Sequence, residues 1–457
     1  MLSLQPEWDQ RRIEKYNGAG PRYTSYPTAL EFSEAIDEAT FLHAVAHSPQ
    51  RPLSLYVHIP FCHRLCYFCG CNKIVTRHPH KADRYLDALA QEIRHRAPLF
   101  AGREVVQLHW GGGTPTFLNP QQISRLVALL RTHFTFADAP EMSIEVDPRE
   151  IPLEVVDHLR AEGFNRLSIG VQDFTPEVQA RVNRVQDEAV LSALMTRARE
   201  QQFHSISLDL IYGLPLQTPE SFALTLQKVL ALHPDRLSVF NYAHMPALFA
   251  AQRKIKPDEL PSAAQKLQIL QHTIATLTQA GYQFIGMDHF AKPDDELAVA
   301  QRAGLLHRNF QGYTTRGDSD LLGLGVSAIS MLGDSYLQNQ KDLNTYYRSV
   351  EQCGDALWRG VRLSEDDMIR RDVIKRLMCH FSLDFAAIEA QWPVRFERYF
   401  AEDLALLAPL EADGLLVIRD RHIRVTGVGR LLIRTLCMCF DRYLRQRAQP
   451  QAFSRVI

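Results

Sequence analysis

The chain of 457 residues is long enough for two or three domains and for a large core without covalent staples. Lys and Arg number 51 against 52 Asp and Glu, a formal charge of −1, which excludes a generally basic nucleic-acid binder and a polyanionic tail protein. Eight cysteines are too sparse for a disulfide scaffold, the N-terminal MLSLQPEWDQRR has no apolar signal-peptide core, and the longest weakly polar run, Leu321 to Gly333, is too short and Gly-rich to span a bilayer. The chain is therefore expected to be cytoplasmic, with its thiols reduced or metal-bound.

Residues 1–50 read as an irregular arm, marked by Gly18-Ala19-Gly20-Pro21 and Tyr26-Pro27, followed by a helix near Glu38–His47. Short apolar, β-branched runs then recur at Leu53–Ile59, Val105–Trp110, Met142–Val146, Arg166–Val171, Ile206–Ile211, Arg236–Tyr242 and Phe284–Asp288. Segments of helical spacing separate them: Ala82–Arg96, Gln121–Phe134, Leu153–Ala161, Glu188–Gln201, Ser221–Leu232 and Ala263–Gln279. Proline marks helix starts at Asn119-Pro120, Thr175-Pro176 and Thr218-Pro219. Strand followed by helix, about six times, predicts an α/β fold built on a parallel sheet, either doubly wound or a barrel. From about residue 365 the pattern changes to helices (Asp366–Cys379, Ala387–Gln391, Arg398–Ala408), a hairpin (Leu415–Ile418 against His422–Val425) and a final helix, Gly427–Arg447. That order is winged-helix-like, so the expected domains are 1–50, 51–364 and 365–457.

The strongest chemical signal is Cys62-x3-Cys66-x2-Cys69, placed just after the first strand, with Cys71 close behind. Clustered thiols in a reduced compartment point to metal. Three cysteines can hold three irons of a [4Fe–4S] cluster and leave the fourth iron open for a ligand, whereas structural zinc wants four closed ligands. Zinc and unliganded thiols stay open on spacing alone, and Cys71 reads as a buried or supporting thiol. Gly111-Gly112-Gly113-Thr114-Pro115 follows the second strand; glycines there permit either a tight turn or close backbone approach to a ligand. Polar residues end the strands: Tyr56 and His58, Glu145 and Asp147, Gln172, Asp209, Asn241 and Tyr242. In barrels of parallel strands, ligands bind at those C-terminal ends.

The cysteine spacing, with Phe68 before the last cysteine, and the Gly112-Gly113-Thr114 loop resemble the radical S-adenosylmethionine (SAM) superfamily. Within it, Tyr23-Thr24-Ser25-Tyr26-Pro27, Tyr56-Val57-His58-Ile59-Pro60-Phe61, Cys69-Gly70-Cys71-Asn72, His109–Pro115, Glu145-Val146-Asp147-Pro148, Ser168–Gln172 and the terminal Phe453–Ile457 resemble the oxygen-independent coproporphyrinogen III oxidase family, from about Tyr16 to the end. The resemblance implies a partial (β/α) TIM-type barrel and an oxidoreductase of porphyrin and heme biosynthesis. Its reaction would oxidatively decarboxylate two propionates of coproporphyrinogen III, on rings A and B, to vinyls. It implies Cys62, Cys66 and Cys69 as [4Fe–4S] ligands. Tyr56, Gly112 and Glu145 would meet the cluster-bound SAM, with loop carbonyls receiving its ammonium. Phe68, Gly113, Thr114, Gln172, Arg184, Asp209, Ala243 and Ile329 would meet a second SAM. The arm and the C-terminal domain would shield the radical over the barrel mouth.

Four substrate carboxylates call for cations, with Arg22, Arg184 and Arg455 as candidates. A flavodoxin- or ferredoxin-type electron donor is expected, along with a monomer that binds neither nucleic acid nor membrane. Two rival readings are a heme chaperone, which as a relative lacks the Cys-Gly-Cys and Tyr23–Pro27 features, and a DNA binder. The second would use the eight arginines 419, 421, 424, 430, 434, 442, 445 and 447, which read instead as a solvated face. Cys353, Cys379, Cys437 and Cys439 read as core or surface thiols.

Overall fold

The computed structural model describes residues 5–48, 50–149, 151–447 and 453–457. The chain divides into two compact units, one of residues 32–269 and 318–362, the other of residues 1–31, 270–317 and 363–457. Residues 1–4 and 49 of the expected arm, residue 150, and residues 448–452 of the expected C-terminal domain lie outside the described residues.

The first unit holds six parallel strands, β1 Leu53–Ile59, β2 Glu104–Gly112, β3 Thr135–Val146, β4 Arg166–Gln172, β5 Ser205–Tyr212 and β6 Arg236–Asn241. They lie in the sheet in chain order. A doubly wound sheet reverses its order at a switch point; this one does not, so the partial-barrel expectation holds over the doubly wound alternative. Four strands that the sequence reading did not resolve extend the sheet beyond β1: β7 Asp320–Leu324, β8 Ile329–Leu332, β9 Ser335–Asn339 and β10 Leu357–Arg362. β7 is parallel to β1, with Leu53 beside Asp320, and the rest run antiparallel to their neighbours. The weakly polar run Leu321–Gly333 thus supplies β7, β8 and the loop between them. Ser33 of the arm bridges to Gly360 on β10.

Leu53, Leu55, Val57 and Ile59 are all fully buried, as are Leu108 and Trp110 on β2. These residues share one face; on the opposite face of β1, Ser54 and His58 are 1% and 6% exposed, so both faces of the strand are covered. The covering helices start where proline predicts. Pro120–His133 has a reciprocal Asn119–Gln122 capping box, and Pro219–Ala231 has one between Thr218 and Ser221. Helix His80–Arg96 buries Tyr85, Leu86, Leu89 and Ile93. It also buries Glu92, whose carboxylate accepts the Tyr346 hydroxyl at 2.6 Å, Asn339 Nδ2 at 2.6 Å and the Gly325 amide at 2.9 Å. That carboxylate pins the β7–β8 connection to the helix.

In the second unit, the run Phe284–Asp288 is a strand only as far as Gly286. Positive φ at Gly286 and Met287 turns the chain back, and Gln283–Gly286 pairs antiparallel with His289–Ala291. The C-terminal segment runs helix Glu365–His380, strand Ser382–Asp384, helices to Ala412, then strands Leu416–Arg419 and His422–Val425 in one small sheet. The single final helix of the sequence reading is three short ones: Gly427–Leu431, Ile433–Met438 and Arg442–Gln446. Leu432 leaves helical geometry between the first two, and Asp441 caps the third by accepting the Leu444 amide.

The arginines of this stretch form a solvated face only in part: Arg419, Arg421, Arg424 and Arg445 are exposed, and the other four are buried or half-buried. Arg434 is 2% exposed and donates to the carbonyls of Gly20, Pro21, Arg455 and Val456. Arg421 pairs with Glu389, Arg442 with Asp366 and Asp367, Arg445 with Asp403, and Arg447 with Glu31. Arm and tail therefore belong to one unit, in which the Tyr23 hydroxyl also donates to Asp441 at 2.8 Å. Among the described residues, no helix is long and apolar enough to cross a membrane.

Candidate active site

Strand β1 ends at Ile59, and the chain enters the cysteine loop through Phe61–Cys62, which pairs with Ile74–Val75. This two-residue ladder closes the loop at its base. Backbone bonds from Tyr67 to Val182 at 3.0 Å and from Cys69 to Cys66 at 3.2 Å fix its path. Gln252 holds the Phe68 carbonyl at 2.9 Å and Asn183 holds the Leu65 carbonyl at 2.7 Å. Gly70 has no room for a side chain, since a Cβ there would lie 2.9 Å from the Phe249 ring.

A cavity of about 530 Å³ opens beside this loop at the C-terminal ends of β2 to β6. Its size suits a cofactor-scale ligand. Cys62, Cys66 and Cys69 line it together with Phe68, Gly112, Gly113, Thr114, Glu145, Gln172, Arg184, Asp209 and Ala243. Tyr56 and Ile329 do not. Tyr56 stands one step back, with its ring stacked on His109 at 5.9 Å and its hydroxyl 3.0 Å from His58 Nδ1. Burial and the Glu145 carboxylate push its phenol well up. Ile329 opens β8 opposite Gln338.

The glycine loop is set by its surroundings. Gly112 has φ +114°, and a Cβ there would meet the His58 ring at 2.5 Å. A Cβ on Gly113 would strike the Pro60 backbone at 2.7 Å. The Gly112 amide donates to Glu145 Oε2 at 3.0 Å, the Gly113 amide to Ile59 at 2.8 Å and the Thr114 amide to Phe61 at 2.8 Å. A phosphate-binding loop keeps its N–H groups for the ligand. Here all three are consumed within the protein, so the loop offers a ligand acceptors, which suits an ammonium group.

Electrostatics divide the cavity wall. Burial works against charge on Glu145, but His109 Nε2 at 3.5 Å and the Gly112 amide hold its carboxyl below the usual range. Asp147 is also buried, yet Arg184 and Arg149 hold it down at about 2. Asp209 has no such cation, and burial raises it to about 6. Its carboxylate accepts the Ser168 hydroxyl at 3.0 Å. Among the thiols, burial pushes Cys62 up to about 11, while Cys71 and Lys73 bring Cys69 down to about 6. Cys71 is exposed, not buried as one reading of the sequence had it, and its amide lies 3.5 Å from Cys69 Sγ.

The wall fits a cluster and a polar ligand. Each cysteine sulfur has a donor beside it: the Thr114 hydroxyl at 3.4 Å from Cys62, Arg184 and Arg149 at 3.3 and 3.4 Å from Cys66, and the Cys71 amide near Cys69. Such donors support thiolate ligands. Gln172 Oε1, Arg184 Nε and Asn241 Oδ1 are buried on the same wall with no hydrogen-bond partner. Buried polar atoms of that kind await a ligand or water. Gln172 reaches its place through a left-handed backbone, φ 69°.

The other expected cations belong to the second unit. Arg22 pairs with Asp288, and Arg455 is exposed. Sequence reasoning missed Arg64, Lys73 and Arg149 on the cavity wall. The only signal for Arg149 was its place two residues after the strand-end Asp147.

Residues 56–229 match the Radical SAM superfamily and residues 363–432 the HemN C-terminal domain. Proteins named oxygen-independent coproporphyrinogen III oxidase from Salmonella typhimurium and Escherichia coli K12 are each 70% identical to this chain over 457 residues, the full length of both partners. The chain belongs to the oxygen-independent coproporphyrinogen III oxidase family. A Pseudomonas aeruginosa protein of the same name is 52% identical over 98% of this chain and 99% of its own length. A solved structure of coproporphyrinogen III oxidase (HemN) from Escherichia coli, described as a radical SAM enzyme, superposes with TM-score 0.94 at 69% identity, covering 96% of this chain and 100% of that one. As a member of this family the chain is a radical SAM oxidoreductase that uses an iron–sulfur cluster and SAM. The oxidase expectation stands over the chaperone alternative.

Proposed function

We propose that this cavity converts coproporphyrinogen III to protoporphyrinogen IX, turning the propionates of rings A and B into vinyl groups. The observation that carries the reading is the convergence of Cys62, Cys66 and Cys69 with Glu145, Gln172, Arg184 and Asp209 on one cavity wall. Cys62, Cys66 and Cys69 hold a [4Fe–4S] cluster through their sulfurs. When bound, the cluster and SAM supply a carbon-centred radical by one-electron cleavage of the sulfonium. Tyr56, Glu145 and the acceptors of the Gly112 loop orient the cluster-bound SAM.

A second SAM molecule meets Phe68, Gly113, Thr114, Gln172, Arg184, Asp209, the backbone of Ala243, and Ile329. What supports a second molecule is that the polar wall extends past Glu145, at the end of β3, to Gln172 and Asp209 on the next two strands and to Arg184, more groups than one ligand at Glu145 would use. Each propionate would give one β-hydrogen atom to the carbon-centred radical, leaving a substrate radical that releases CO2 and passes one electron to an external one-electron acceptor as the vinyl forms. The apolar walls given by Ile211, Phe240 and Phe249 keep water and stray hydrogen donors from the reacting carbon. Electrons come from a flavodoxin- or ferredoxin-type donor, and the protein works as a cytoplasmic monomer. Within it, residues 51–364 form the barrel with its extension, preceded by the arm of 1–50 and followed by the domain of 365–457.

The test is anaerobic turnover of the reconstituted protein with coproporphyrinogen III, SAM and a reductant. Product is read as protoporphyrin fluorescence after oxidation, beside 5′-deoxyadenosine release. Protoporphyrin formed by the parent and lost in Cys66→Ser is the expected result. SAM cleavage by an intact cluster without protoporphyrin would overturn the substrate assignment.

A further inference from the structure

We propose that Arg149 is a positioning residue for the cluster's electronics. It delivers a fixed guanidinium N–H to the sulfur of Cys66 and thereby raises the potential at which the cluster accepts an electron. The inference rests on the reading of Cys66 as a cluster ligand.

The geometry around Arg149 is closed. Its side chain is 6% exposed. Nε donates to both oxygens of Asp147, at 3.0 and 3.1 Å, and Nη2 to Asp147 Oδ2 at 2.6 Å. Nη1 donates to the Asn183 carbonyl at 3.2 Å. The remaining Nη2 proton faces Cys66 Sγ at 3.4 Å. A guanidinium has five N–H groups, so a group tied this way has little left for a substrate. Its contact with sulfur is built into the fold. The carboxylate of Asp147 acts as the clamp, and it also takes Arg184 Nη1 at 3.3 Å, whose own next neighbour is Cys66 Sγ at 3.3 Å.

The three sulfurs are treated unequally. Cys62 receives a neutral hydroxyl, Cys69 a backbone amide with the half-buried Lys73 ammonium nearby, and Cys66 two buried guanidinium groups. Hydrogen bonds to cluster sulfurs and local charge are among the terms that set an iron–sulfur potential. A sulfur becomes a better acceptor as the cluster gains negative charge, and charge-assisted bonds are the stronger kind. Arg149 therefore favours the reduced cluster over the oxidised one. Removing it makes reduction harder without removing any cluster ligand.

The experiment is an anaerobic redox titration of the reconstituted full chain, followed by the electron paramagnetic resonance signal of the reduced cluster, in the absence of substrate. Parent, Arg149→Gln, Arg149→Lys and Cys66→Ser are compared, with iron and sulfide content measured for each. Arg149→Gln is expected to keep its iron and sulfide but to lose at least tenfold in the equilibrium constant for reduction, a shift of about 59 mV to lower potential for one electron. Arg149→Lys retains the charge without the fork and should fall between the two. It also serves where the Gln variant fails to fold.

An unchanged potential in either folded, cluster-bearing variant overturns the proposal and leaves the Cys66 assignment intact. A Cys66→Ser protein with the parent's iron content, signal and potential overturns the assignment itself, and the proposal with it.

Discussion

Glu145 Oε2 accepts the Gly112 amide at 3.0 Å, tying the end of β3 to the glycine loop that ends β2. The bond crosses two neighbouring parallel strands, and a Cβ on Gly111 would lie 2.8 Å from the other carboxylate oxygen. Glu145 therefore shapes the loop and presents charge to the cavity at once. Replacing it with Gln keeps an acceptor for the amide but removes the charge facing an ammonium ligand. Hydrogen bonds to charged groups contribute ~1.5–3 kcal/mol, or roughly 10–150-fold in affinity. Glu145→Gln should weaken SAM binding by that factor while iron and sulfide stay at parental levels. Equilibrium binding of SAM to anaerobically reconstituted protein checks it; parental affinity would remove Glu145 from the SAM site.

Asp209 makes a prediction with a definite sign. Burial raises its carboxyl from 3.8 to about 6 in the folded chain. Between those values the folded protein holds a proton that the unfolded chain has lost, so stability falls as pH rises through this window. Above about 6 the whole penalty is present. Asp209→Asn carries none of it and still accepts the Ser168 hydroxyl. The variant should be more stable than the parent at pH 7, on the order of 1–2 kcal/mol after allowance for partial solvent contact. The gain should vanish below about pH 4. Thermal melts of the two proteins across that range measure the difference. A gain that stays constant with pH would show that desolvated charge is not its source.

Much of this arrangement is legible in the sequence because it depends on near neighbours along the chain. The strand-end residues Glu145, Gln172 and Asp209 could be placed because a continuous apolar run marks a strand buried on both faces, and its last residue must face the ligand end. What escaped depends on partners distant in sequence. Arg149 and Cys66 are 83 residues apart, and nothing local in either marks the contact. Glu92 has the spacing of an ordinary helix residue, and only the fold shows that it is buried. The stretch from Gly427 has enough apolar and basic residues to read as one helix. Its breaks come at a non-helical Leu432 and ahead of Asp441, which caps the last helix, and periodicity reports neither. The Phe284 run is a strand that stops short for a different reason: Gly286 and Met287 reverse the chain within what composition alone makes one strand.

Glu92 yields a stability prediction in the barrel unit. Its carboxylate is 2% exposed and serves three donors, from Gly325, Asn339 and Tyr346. Glu92→Ala leaves the Tyr346 hydroxyl and the Gly325 amide without their buried acceptor, while Asn339 keeps its bond to the Gly325 carbonyl, and it opens a void, at a cost of about 3 kcal/mol or more. Glu92→Gln keeps one oxygen but turns an NH2 group toward a donor, and should cost about 1–2 kcal/mol. Denaturant unfolding should rank the parent above Gln and Gln above Ala. Equal stability of parent and Ala variant would show that the network contributes nothing net.

Arg434 carries the last prediction, within the unit formed by the arm and the tail. One guanidinium gathers the carbonyls of Gly20 and Pro21 on one side and of Ser454, Arg455 and Val456 on the other. No other side chain type presents five donors in a rigid fork, so lysine cannot replace it. With Arg434→Ala these carbonyls lose their shared donor in a buried place, and the remaining ties, such as the amide of Val456 to Gly18 at 2.8 Å, must hold the two segments alone. Hydrogen exchange should speed up at residues 18–21 and 454–457 by tenfold or more, corresponding to ~1.4 kcal/mol or more of lost local protection. Exchange at β1 and β2, in the other unit, should stay at the parental rate. Arg434→Lys should resemble the alanine variant more than the parent, because one ammonium cannot span both segments. Parental exchange at residues 18–21 in both variants would mean that the arm is held by its aromatic and apolar contacts, Tyr23 and Tyr26 foremost, and not by the arginine.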